Sequence, residues 1–130
     1  MCLDLKWWSK KRIATKDIVV YKVVETVGWG SEALQSPYRS MPVNIGETYS
    51  IPEPAIGKIG SKVYQGFHSL KGKKYAKKLT LGHYRGRVAK CIIPKGSTYY
   101  NGTWNRFQLF NPIGYVSDSI KYVEILTIKQ

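Results

Sequence analysis

Residues 17–27 form the most continuous apolar run in the chain, and they are dense in β-branched and aromatic side chains. A run of this kind, closed by Gly28 and Gly30, predicts a strand that is buried on both faces. Shorter apolar or alternating runs predict further strands. They lie at 62–68, 87–94 and 120–128, with a short extended piece at 49–51.

Two turn signals follow the strand at 87–94. Lys95-Gly96 predicts the turn that ends it, and Asn101-Gly102 predicts a hairpin over residues 97–104.

One segment has the period of a helix rather than of a strand. Ser69 is a good N-cap for a helix that starts at Leu70. At 100° per residue, one stripe of this helix contains Gly72, Tyr75, Ala76 and Leu79, whereas the opposite face contains five lysines. The segment near 70–79 therefore predicts an amphipathic helix with a lysine-only outer face.

These elements predict an α+β fold, a strongly twisted and mostly antiparallel sheet or pair of sheets with one basic helix near 70–79. A chain of 130 residues fits a single domain over 1–130. Within that domain we expect a mobile N-terminal arm at 1–15, where Trp7 and Trp8 adjoin several basic residues, and a long loop at 28–61 that contains four prolines.

Charge narrows the range of partners. Lys and Arg number 21 against 8 acidic residues, a formal net charge of +13, and residues 54–117 contain 12 Lys or Arg and no acidic residue. Lysines at i,i+4 in the helix repel one another, and a bound anion would relieve that repulsion. The sequence thus favours an anionic partner, a nucleotide or nucleic acid, over a face that only keeps the protein in solution.

Aromatic residues near the predicted hairpin suggest a platform on which bases stack, with Arg106 beside it, although such residues also pack across strands. Together with the basic helix they give a predicted set of nucleic-acid-binding residues. The set is Lys71, Lys73, Lys74, Lys77, Lys78, Arg85, Arg87, Tyr99, Tyr100, Trp104 and Arg106.

The sequence contains few signals of a catalytic or metal-binding site. No two carboxylates have a spacing that suggests an acid–base pair, and no nucleophile elbow or phosphate-binding loop is present. His68, His83, Cys2 and Cys91 have no zinc-site spacing, and Cys91 lies in an apolar run that suggests a buried strand residue. We therefore expect no catalytic residue, no metal, no cofactor and no membrane span, and a cytoplasmic protein. The sequence does not define an oligomeric state.

Five segments resemble small uncharacterised proteins of bacteriophages and Bacteroides-like gut bacteria. They are VYKVV (20–24), GFHSL (66–70), AKCIIPKGSTYY (89–100), YVSD (115–118) and YVEIL (122–126). The resemblance implies a phage or mobile-element protein, and a role against host defence, but it brings no activity with it.

A more distant likeness is to the ADP-ribosyltransferase fold. In that fold an early strand carries an arginine, a middle strand a Ser-Thr-Ser-like segment, and an Ile-Pro-Lys-Gly-Thr-like strand precedes a Glu-x-Glu motif. Here Lys22 and His68-Ser69 stand at the first two places, Pro94-Lys95-Gly96 matches the third, and the Glu-x-Glu motif is missing. The likeness implies at most a nucleotide-binding cleft of Lys22, Tyr49, His68 and Ser69.

Three hypotheses follow. The first is a non-enzymatic protein that binds an anion, either nucleic acid or a nucleotide-like molecule. The second is an ADP-ribosyltransferase-related enzyme that uses Lys22, His68 and Ser69. The third is an interaction protein that docks its lysine helix on an acidic protein partner.

Overall fold

The computed structural model describes residues 3–5, 9–26, 34–35, 42–51, 58–59, 62–63, 66–80, 86–103 and 113–126. Within them lie 13 strands and one helix, in agreement with the predicted α+β class. In chain order they are β1 (Leu3–Asp4), β2 (Lys11–Ile13), β3 (Ile18–Thr26), β4 (Leu34–Gln35), β5 (Pro42–Val43), β6 (Thr48–Ser50), β7 (Lys58–Ile59), β8 (Lys62–Val63), β9 (Phe67–Leu70), α1 (Lys73–Thr80), β10 (Gly86–Ile93), β11 (Thr98–Thr103), β12 (Ile113–Ser117) and β13 (Ser119–Leu126).

All described strand pairs are antiparallel and belong to one sheet. Its main path runs β6-β13-β10-β3-β9-β12-β11-β1-β8-β7, while β2 pairs with β11, and β4 pairs with β3 and β5. The ladder between β3 and β10 extends from Ile18↔Ile93 to Glu25↔Gly86. Residues 18–26 of the long apolar run therefore form a strand at the centre of the sheet, as their composition predicts. The predicted burial on both faces holds for one face only: Val20, Lys22 and Val24 are buried, whereas Tyr21 and Val23 on the other face are half-buried and Val19 is exposed.

Side chains from alternate positions of the central strands pack into two clusters, one on each face of the sheet. The Cys91 cluster comprises Ala14, Val20, Val24, Ala89, Cys91, Ile93, Ile120 and Tyr122. The Ala76 cluster comprises Leu3, Leu70, Ala76, Val88 and Val116, and it includes the buried residue of α1. Because strand side chains alternate between faces, β3 contributes Val20 and Val24 to the first cluster and packs Tyr21 and Val23 against the second.

The predicted turn at Lys95-Gly96 is confirmed, since these two residues form a turn between β10 and β11, in which the Ser97 backbone N donates to the carbonyl of Pro94 at 3.0 Å. Gly96 has a φ of +90°, a conformation that glycine adopts without steric cost. The Asp17 carboxylate accepts a hydrogen bond from the Lys95 backbone N at 2.9 Å, so the turn is tied to the residue before β3.

The predicted hairpin at Asn101-Gly102 is wrong. Both residues lie inside β11, opposite Tyr115 and Gly114 of β12. On its other side β11 pairs with β1 and β2. Pairing along both edges keeps this segment extended, and the local preference of Asn-Gly for a turn is overridden.

The helix begins three residues later than predicted, at Lys73 instead of Leu70. Ser69 and Leu70 end β9, where they pair with Tyr115 and Gly114, and both are buried. Ser69 is therefore a strand residue and not an N-cap. The free energy gained by burying these two residues inside the sheet outweighs that of a capping hydrogen bond.

Parts of the predicted arm and loop belong to the sheet. In the arm at 1–15, Leu3 and Ala14 are buried, and β1 and β2 pair with β11. In the segment 28–61, the described residues include β4, β5, β6 and β7. The predicted extended piece at 49–51 corresponds to β6, which pairs with β13 at the edge of the sheet.

Candidate functional site

Exposed lysines lie on α1 and on the segment that leads into it. Ala76 is fully buried and Tyr75 is partly buried, so this side of the helix faces β3, β9 and β10. Four lysines are exposed, and we call them the α1 lysine surface. They are Lys71, Lys73, Lys74 and Lys78. Lys77 is half-buried. The predicted separation of an inner face from a lysine outer face therefore holds for Tyr75, Ala76, Lys73, Lys74 and Lys78, but not for Lys77, and Lys71 and Gly72 precede the helix.

The entry to α1 fixes where this surface lies. The Lys71 backbone N donates a hydrogen bond to the carbonyl of Ile113 at 3.0 Å, which ties the segment between β9 and α1 to the start of β12. The helix follows directly, so Lys71, Lys73 and Lys74 lie together at its N-terminal end.

The charges at this end of α1 are opposite to those that stabilise helices. The first turn contains no acidic residue, and it begins with Lys73 and Lys74. The N-terminus of a helix carries the positive end of its dipole, so cations there cost up to about 1 kcal/mol each instead of stabilising it. Lys78 has a local partner, since its Nζ lies 5.7 Å from the centroid of the Tyr75 ring. The geometry therefore concentrates positive potential at the Lys71–Lys74 end.

Arg87 lies on β10, one of the strands beneath α1, but its side chain is half-buried. Its Nη1 donates a hydrogen bond to the carbonyl of Gly86 at 2.9 Å, so part of the guanidinium is engaged by the main chain. Arg85, Trp104 and Arg106, also predicted to bind nucleic acid, lie outside the described residues.

Tyr99 and Tyr100 are adjacent on β11 and therefore lie on opposite faces of the sheet. Tyr99 packs against the Cys91 cluster and Tyr100 against the Ala76 cluster, so these two do not form one aromatic platform. Tyr99 instead meets Tyr115 of β12, edge to face, with ring centroids 5.7 Å apart and planes at 74°. This pair was not predicted, because it depends on the register of β11 and β12.

Two further cations lie beside that pair. Arg12 of β2 is directly opposite Tyr99 and is exposed. Lys10 is also exposed, and its backbone N donates to the side-chain oxygen of Asn101 at 3.2 Å. The sequence signal for this group was the basic run at 10–12, but only the pairing of β2 with β11 shows which aromatic ring it adjoins.

Lys22 lies in the centre of β3 on the face of the Cys91 cluster, with only 9% of its surface exposed. Its Nζ donates a hydrogen bond to the carbonyl of His68 at 2.6 Å. Burial lowers the pKa of Lys22 from 10.5 to about 8, while the interaction with Cys91 acts in the opposite direction. The amine is thus held against the main chain in an apolar setting.

Neighbouring titratable groups on this face also favour their neutral forms. Burial raises the pKa of the Cys91 thiol to about 12, and it raises the pKa of Tyr122 above its ordinary value. A thiol with so high a pKa is a poor nucleophile at neutral pH. Cys91 is therefore a core residue, as the sequence predicted.

The predicted nucleotide-cleft residues are only partly brought together. Lys22 reaches the backbone of His68, whose Nδ1 lies 2.9 Å from the carbonyl of Gly66. His68 and Ser69 are adjacent on β9, so their side chains leave opposite faces of the sheet. Tyr49 is on β6, separated from β3 by β13 and β10, and its ring meets Tyr122 at a centroid distance of 5.7 Å.

The described residues hold neither a metal-ligand cluster nor a membrane-spanning helix. No group of three or more His, Cys, Asp or Glu side chains among them is arranged to hold a metal ion. Within the same part of the chain, the structure contains no helix of sufficient length and apolarity to cross a membrane.

Comparison with known proteins gives no family for the chain: no family model, no curated protein and no solved structure matches it.

Proposed function

We propose that the protein is a non-enzymatic nucleic-acid-binding protein whose α1 lysine surface contacts the phosphate backbone. The observation that carries the proposal is the set of exposed lysines at the positive end of α1, where the first turn has no acidic residue. Phosphate groups would replace the repulsion among these lysines with attraction, and counterion release would add to the affinity.

A nucleic acid fits this surface better than an acidic protein does. Protein interfaces combine charge with an apolar centre. In the described part of the chain, the large hydrophobic side chains that are exposed are Ile13, Val19, Ile45 and Ile113, and α1 contributes none of them. Ile113 adjoins Lys71 through a main-chain hydrogen bond. A surface of four lysines with this one apolar neighbour among the described residues suits a partner whose exposed surface is a row of phosphates.

The experiment compares two variants with the same net charge. One removes Lys71, Lys73 and Lys74 by substitution with Gln, and the other removes Lys16, Lys95 and Lys121, which are exposed outside α1. Each lowers the formal net charge from +13 to +10. Binding to a labelled oligonucleotide is followed by fluorescence anisotropy over a range of salt concentrations.

We expect the α1 variant to bind more weakly. The slope of log affinity against log salt concentration should become smaller in magnitude by about 2 to 3, because up to three phosphate contacts are removed. The control variant should remain close to the wild type. Equal losses in the two variants would show that only net charge matters, and the proposed role of α1 would then be rejected.

An ADP-ribosyltransferase-related enzyme has less support. Lys22 is buried and its amine donates to main chain, and the ring of His68 leaves β9 on the other face from the side chain of Ser69. The resemblance to phage and gut-bacterial proteins adds the proposal that nucleic-acid binding acts against host defence.

A further inference from the structure

The surface where β2 meets β11 has three components that single-stranded nucleic acid requires. Cations lie along its edge, aromatic rings lie beside them, and an amide is present between them. The residues are Lys10, Arg12, Tyr99, Asn101 and Tyr115, and we call them the β2–β11 surface.

Strand register places the side chains of Arg12, Tyr99, Asn101 and Tyr115 on one face of the sheet, and the backbone of Lys10 lies beside Asn101. Arg12 is directly opposite Tyr99, and Asn101 is directly opposite Tyr115. Residues opposite each other in an antiparallel pair have Cβ atoms about 4.5–5.5 Å apart. Tyr99 and Asn101 are two positions apart on β11, so they share a face, and the Tyr99–Tyr115 ring contact confirms that face.

Exposure divides this surface into two zones. Lys10 and Arg12 are exposed, whereas Tyr99 and Tyr115 are half-buried at the border of the Cys91 cluster. Each ring thus packs against the core and keeps part of its surface exposed. The edge-to-face arrangement of the two rings, with planes at 74°, gives them different orientations, so that a base can stack on one while the other borders it.

We infer that the β2–β11 surface binds single-stranded nucleic acid, with phosphates on Lys10 and Arg12 and a base stacked on the Tyr99–Tyr115 pair. Stacking of bases on aromatic side chains beside a cationic track is how proteins hold single strands without reading their sequence. In a duplex the bases are stacked on one another, so this surface would prefer a single strand. The inference rests on the proposed function for the class of ligand, and it adds a second surface and the strandedness.

The test uses two probes with the same phosphates, an oligothymidine strand and a strand of equal length that is abasic throughout. Tyr99→Leu and Tyr115→Leu remove one ring each and keep an apolar side chain against the core. Tyr21→Leu is the matched control, because it removes a half-buried tyrosine ring that packs on the opposite face of the sheet. Circular dichroism establishes that each variant is folded.

Tyr99→Leu or Tyr115→Leu should weaken binding of oligothymidine by about fivefold to a hundredfold, the range for one stacked base, and leave binding of the abasic strand unchanged. Arg12→Gln should weaken binding of both probes. If both tyrosine variants bind oligothymidine as the wild type does, or lose affinity for the two probes equally, the stacking site is refuted. The same holds if Tyr21→Leu has the effect of Tyr99→Leu, or if Arg12→Gln weakens binding of an acidic peptide and leaves binding of both oligonucleotide probes unchanged.

The two proposals fail separately. The α1 variant tests contact of the helix with phosphates on either probe, whereas the tyrosine variants test the difference between the probes. A protein that binds both probes through α1 and does not distinguish them would keep the proposed function and lose this inference.

Discussion

Replacement of Lys22 by Met should make the protein more stable at neutral pH. The Lys22 amine lies on an apolar face of β3, between Val20 and Val24, and burial lowers its pKa from 10.5 to about 8. At about 1.4 kcal/mol for each pH unit, keeping the buried amine charged costs the folded state about 3 kcal/mol. Methionine fills the same unbranched volume and carries no charge.

One contact opposes this gain. The variant loses the hydrogen bond from Lys22 Nζ to the carbonyl of His68, which contributes about 1 kcal/mol. The expected net effect of Lys22→Met is thus an increase of about 2 kcal/mol in the free energy of unfolding at pH 7.

The gain should depend on pH in a defined direction. Below pH 8 the amine is protonated in both states, so the wild type bears the full cost. Between about pH 8 and 10.5 the unfolded state binds more protons than the native state, and the stability of the wild type rises relative to the variant. Cys91 acts with the opposite sign above pH 9.0, but it is present in both proteins, so their difference reports Lys22.

Urea unfolding of the wild type, Lys22→Met and Lys121→Met from pH 7 to pH 10 measures these differences. Lys121 is exposed on β13 and serves as the control, with little expected change. The reasoning would be refuted if Lys22→Met were less stable than the wild type at pH 7, or if the difference between them did not shrink as the pH rises.

Two further predictions concern the turn after β10 and the buried thiol. Gly96→Ala should lower stability by about 1 kcal/mol in thermal unfolding, because a φ of +90° strains any residue with a Cβ, although no atom lies within 4 Å of a Cβ placed there. Gly72→Ala is the control and should be nearly neutral. Equal losses of stability in the two variants would contradict the strain argument. In a Cys2→Ser variant, Cys91 should resist a thiol reagent at pH 8 and react only after denaturation, because its side chain is fully buried and its pKa is raised to about 12. Rapid labelling of the native protein would contradict this prediction.

The sequence predicted the elements whose own composition decides their structure. β3 is a long run of β-branched residues, and α1 has its lysines on one side, so both were found within a few residues of their bounds. Ser69 and Asn101-Gly102 were misassigned because each has a strong local preference that pairing within the sheet overrides.

The two candidate surfaces also differ in how far the sequence alone predicts them. The α1 lysine surface comes from one continuous segment, and its helical period shows which side is exposed. The β2–β11 surface joins residues 12, 99 and 115, and no local pattern relates them. The Asn101–Tyr115 and Arg12–Tyr99 pairs exist only because three strands align, which only the three-dimensional register shows.

The pairing of β2 with β11 also has a consequence for the order of events during synthesis. Lys11 pairs with Tyr100, so β2 leaves the ribosome well before the strand with which it pairs. The entropic cost of closing so long a loop grows only slowly with length, but contacts between distant segments slow folding. Arg12 therefore meets Tyr99 only after the segment between them has been made, and the β2–β11 surface is expected to be among the last to form.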